Sequence, residues 1–100
     1  MKLRSIELAL PDPAGAAAWM VDIWGLSPAE VRGDRHYLRG TGTFPYLVAF
    51  EKSEDEFVRS TTFVCTDEEL TAIKARVSAK NWAACPVTSA DPGDGHGVIV

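Results

Sequence analysis

Glu7 is the residue from which any chemistry in this chain would have to start. It sits in the run Ser5-Ile-Glu-Leu-Ala-Leu-Pro-Asp12, on the side of a strand turned away from Ile6, Leu8 and Leu10. A carboxylate there either meets water as a solvated or salt-bridged group, or faces a cavity. In a cavity it could act as a general base or hydrogen-bond a ligand. Tyr37, Arg39 and Tyr46 could line a pocket beside it, with Arg39 pairing a ligand carboxylate, but they suit packing across a sheet equally well. His36 and His96 are the only histidines. With Asp34 and Asp94 they could form an unorthodox metal site, yet neither has i,i+4 or CxxC-type spacing, and surface loop histidines are the simpler reading. Ser5 and Ser60 have no histidine near them in sequence, so nothing supports a nucleophile. Asp91-Pro-Gly-Asp-Gly95 has glycines but no following helix and no Lys-Ser/Thr, which argues against a phosphate cradle.

The elements that must position these residues follow a plan written twice. Ser5 to Asp12 reads as a strand and a turn, and the Ala-rich run from Pro13 to Trp24 as a helix. Ser60-Thr-Thr-Phe-Val-Cys-Thr-Asp67 leads in the same way into a helix from Glu68 to Lys80. Ser5 and Ser60, like Asp12 and Asp67, stand 55 residues apart, and Leu8 and Leu10 then match Phe63 and Cys65. This suggests an internal duplication. Asp12 caps the first helix, Pro13 suits its first turn, and Gly25 ends it in a left-handed conformation. That helix is apolar nearly all round, with Asp22 its one charge, so it is expected to pack on more than one side, around Trp19 or Ile23 against a second domain or subunit. The second helix is ordinarily amphipathic, with Leu70, Ile73 and Val77 at helical spacing and Thr66 or Asp67 as its cap. Strands are expected near Glu30–Arg32 and Arg35–Arg39 about a Gly33-Asp34 turn, then at Tyr46–Phe50, Val58–Cys65, Val87–Ala90 and Val98–Val100. Cys65 reads as a small buried core residue, and Cys85 as a loop thiol.

One hundred residues make one ordinary domain, here read as half-modules 1–52 and 57–100. A net charge of −4 argues against nucleic acid as the main partner. No apolar run approaches the length needed to span a bilayer, and the opening Met-Lys-Leu-Arg lacks a signal peptide's apolar region, so a cytoplasmic address is expected.

The segments Ile6-Glu-Leu-Ala-Leu-Pro-Asp-Pro13, Ile23-Trp-Gly-Leu26, Tyr37-Leu-Arg-Gly-Thr-Gly42 and Asp91-Pro-Gly-Asp-Gly95 together resemble the vicinal oxygen chelate superfamily of glyoxalases, bleomycin-resistance proteins and extradiol dioxygenases. The likeness runs over nearly the whole chain and is nearest to the N-terminal domain of extradiol ring-cleavage dioxygenases. It implies an α+β fold in which two βαβββ-type modules, the second truncated here, pair mixed sheets into a cup with helices outside. It also implies a divalent metal, iron, manganese, zinc or nickel, inside that cup.

The departures carry as much as the matches. The positions that the resemblance would give to metal ligands hold Ser5, Pro45, Tyr46 and Ser60, and a serine hydroxyl is a poor ligand for such metals. A final ligand would lie beyond Val100, which is either a natural end or a truncation. The expectation is therefore a metal-free, non-catalytic module with no cofactor, accessory to an extradiol-dioxygenase-like assembly. Its partner would be a second copy, most simply in a dimer, or a second domain of the same fold. The alternative is a protein of bleomycin-resistance type that binds a small aromatic or drug-like ligand through Glu7, Tyr37, Arg39 and Tyr46. A metal-dependent dioxygenase or glyoxalase is the least favoured.

Overall fold

The computed structural model describes residues 1–93 and 95–100. Among them the order is β1 (Lys2–Leu10), α1 (Pro13–Trp24), β2 (Ser27–Arg32), β3 (Arg35–Arg39), β4 (Val48–Lys52), β5 (Phe57–Val64), α2 (Asp67–Ala79), β6 (Cys85–Thr88) and β7 (His96–Ile99). No described helix is long and apolar enough to cross a membrane. The chain divides into two compact units, one of Leu3–Phe63 and one of Met1–Lys2 with Val64–Val100.

The first unit is a βαβββ module. Its sheet runs β2-β3-β4-β1-β5. β1 pairs parallel to β4, and β3 lies antiparallel to both β2 and β4. A parallel pair needs a long crossover, which α1 and the β2–β3 hairpin supply. Strand alternation sends Leu8 and Leu10 to the helix side, where they pack with Met20 and Val21 around Ala17, Leu38 and Phe50. That is the apolar face expected from the sequence.

The ends of α1 are set by local chemistry. The Asp12 carboxylate accepts from the Gly15 N–H at 3.0 Å, and Pro13 occupies the first turn. Gly25 closes the helix at φ 73°. Among the described residues the sheet covers one side of α1, and Trp19, Ile23 and Trp24 are exposed. β2 is longer than expected and carries a register shift between Pro28 and Glu30, while Gly33 turns the hairpin at φ 60°. Strand β4 begins at Val48, so Tyr46 lies in the preceding connection, although Leu47 already exchanges backbone bonds with Ile6 and Leu38.

In the second unit, Thr66 caps α2 with a full capping box: the Glu69 N–H donates to Thr66 Oγ1 at 3.1 Å, and the Thr66 N–H donates to Glu69 Oε1 at 3.1 Å. Val77 is buried, and Leu70 and Ile73 are half-buried at the expected spacing. β6 and β7 form an antiparallel hairpin pairing Cys85 with Ile99 and Thr88 with His96. Cys85 is therefore a strand residue rather than a loop thiol, and Cys65 is half-buried rather than buried; both thiols are free.

The Met1 ammonium donates to Glu69 Oε2 at 2.8 Å. This contact, followed by the Thr66 N–H, holds the Glu69 carboxyl below its ordinary value of 4.5. A depressed carboxyl contributes stability that is present above the unfolded-state value and lost as pH falls through the folded one. Acetylating the Met1 amine is expected to move the Glu69 titration upward, read from its side-chain carboxyl resonance, and to raise the pH at which that contribution is lost; an unmoved titration would show the ion pair to be absent. Gly25→Ala is expected to cost about 1 kcal/mol in urea denaturation, from the left-handed backbone alone, since nothing crowds the added Cβ.

Candidate functional site

The face of the sheet opposite α1 carries the polar residues singled out in the sequence. Cross-strand register lines up Glu30 on β2, Tyr37 on β3, Ala49 on β4 and Glu7 on β1 in one transverse row. Neighbours in such a row share a face. Ala49 is the small member, and the two tyrosine rings gather over it to form a separate buried cluster. Tyr37 and Tyr46 meet edge to face, with centroids 4.9 Å apart at 70°.

Glu7 is buried, with 3% of its surface exposed. It is not a solvated surface carboxylate, and among the described residues it has no salt bridge. Among the described residues, four hydroxyls donate to it. Ser5 Oγ reaches Oε1 at 2.6 Å, Tyr46 Oη reaches Oε1 at 3.2 Å, and Ser60 Oγ reaches Oε2 at 3.0 Å. Thr62 Oγ1 lies 3.3 Å from both oxygens. A carboxylate offers about four acceptor positions, so this set fills them. Ser5 and Tyr46 are buried, whereas Thr62 is half-buried and Ser60 exposed, so the cluster is closed on one side and open along β5.

Three of the four residues at the positions that the resemblance gives to metal ligands, Ser5, Tyr46 and Ser60, are thus turned onto one carboxylate. One carboxylate with hydroxyl partners does not fit a first-row metal that takes imidazole and carboxylate ligands. Among the described residues no group of three or more His, Cys, Asp and Glu is arranged to hold a metal ion. His36 lies half-buried on β3, paired with Val31 and Phe50 on the helix side, and His96 is exposed on β7. Both are strand residues rather than loop histidines. Asp94 lies outside the described residues.

Around the tyrosines the structure adds three arginines that the sequence did not single out. The Arg35 and Arg32 guanidinium carbons stand 5.4 and 5.9 Å from the Tyr37 ring centroid, and that of Arg4 stands 5.3 Å from Tyr46. Two of them had a signal: Arg35 is two residues before Tyr37 on the same strand face, and Arg32 is its partner across the β2–β3 hairpin. Arg32 also pairs with Glu30 at 2.9 Å. Arg39, expected beside the ligand, is exposed at the end of β3 opposite Ser27.

Replacing Glu7 by Gln would swap an acceptor oxygen for an amide N–H₂ facing hydroxyl donors. We expect Glu7→Gln to cost about 2–4 kcal/mol in urea denaturation and Tyr46→Phe about 1 kcal/mol. A neutral Glu7→Gln would mean that the hydroxyls do not depend on the carboxylate.

No protein-family model and no curated protein matches the sequence. Solved structures do match. The Mn(II)-bound glyoxalase from Novosphingobium aromaticivorans is 20% identical with a TM-score of 0.85, over 97% of this chain and 34% of that one. Homoprotocatechuate 2,3-dioxygenase from Brevibacterium fuscum, in complex with 3,4-dihydroxyphenylacetate, is 20% identical with a TM-score of 0.75, over 98% and 32%. A room-temperature structure of an extradiol ring-cleaving dioxygenase from B. fuscum gives 21% and 0.68, over 93% and 26%. The chain thus spans about a third or less of the length of these proteins, and it has the vicinal oxygen chelate fold.

Proposed function

We propose that this chain is a metal-free, non-catalytic module of the vicinal oxygen chelate fold, structural or accessory to an extradiol-dioxygenase-like protein. The observation that carries the reading is the Glu7 cluster. A carboxylate whose acceptor positions are filled by four hydroxyls must break one of those bonds before it can take a proton, which makes it a poor general base. Ser5, Tyr46 and Ser60 act as donors there, which is the work of a clasp between strands. The module's role is then to pair with another module of the same fold, as a second copy or as a second domain.

Metal analysis by mass spectrometry on protein purified without chelators, with extradiol and glyoxalase assays in added Fe(II) and Mn(II), tests this directly. No stoichiometric metal and no turnover are expected. About one metal per chain, released by Glu7→Gln, would overturn the reading.

A second reading has its own support. Arg4, Arg32 and Arg35, whose guanidinium groups lie over the buried Tyr37 and Tyr46 rings, are of the residue type that would recognise a planar aromatic ligand through its carboxylate. Such a ligand would raise the thermal midpoint with concentration, as linkage requires. A set of aromatic carboxylates that shifted nothing in the native chain would remove this alternative.

A further inference from the structure

We draw no further inference here: the strongest candidate, the apolar groove of about 430 Å³ between α1 and the β2–β3 hairpin, walled by Ala18, Val31 and Leu38, carries nothing because nothing in the structure shows what covers it.

Discussion

A single buried carboxylate organises the polar face of this sheet. Taking an ionised carboxyl out of water costs several kcal/mol unless its oxygens are fully hydrogen-bonded. Glu7 meets that condition with hydroxyls drawn from three separate pieces of chain: Ser5 on its own strand, Tyr46 before β4, and Ser60 and Thr62 on β5. Because hydroxyl hydrogens rotate to suit, the arrangement tolerates small shifts of the strands while keeping them in one register. The partners lie up to 55 residues away in sequence. The clasp therefore forms only when the sheet order is already right, and it works as a check on topology as much as a source of stability.

The two faces of β1 divide the labour. Leu8 and Leu10 join Ala17, Leu38 and Phe50 in an ordinary apolar core beneath α1, where burial supplies non-directional stabilisation. Ser5, Glu7 and the tyrosine pair supply the directional part on the other side. Ala49 connects the two, since its methyl group leaves space for two aromatic rings that a larger residue would displace. A site with this construction is rigid and already satisfied, which suits a scaffold better than a reaction centre.

Much of this was legible in the residues. Asp12, Pro13 and Gly25 give both ends of α1, and Arg35–Arg39 is a strand with the expected limits. The order of elements and the α+β class follow from the same signals. Other features were hidden for physical reasons. Alternation tells that β1 has two faces, but not that β5 and the Tyr46 segment cover the second, so Glu7 looked like a surface group. Arg4 is brought to Tyr46 by a connection that carries no periodicity. The strands expected at Val87–Ala90 and Val98–Val100 begin two residues earlier, at Cys85 and His96, and take in Pro86 and Gly97, because proline is tolerated in a short ribbon whose strands are both edges. Ser5 and Ser60, 55 residues apart, reach the same carboxylate from neighbouring strands.

The register shift in β2 has a consequence for how the molecule behaves in crowded solution. β2 is an edge of the five-stranded sheet, and an exposed edge is a template on which foreign strands can grow. Here Pro28 withholds a backbone donor, the bulge that follows breaks the even ladder, and the Glu30–Arg32 pair places charge along the remainder. That rim is poorly suited to nucleating aggregates. Contact on this side of the molecule is left to side-chain surfaces, whose fit can be selective in a way that bare backbone cannot.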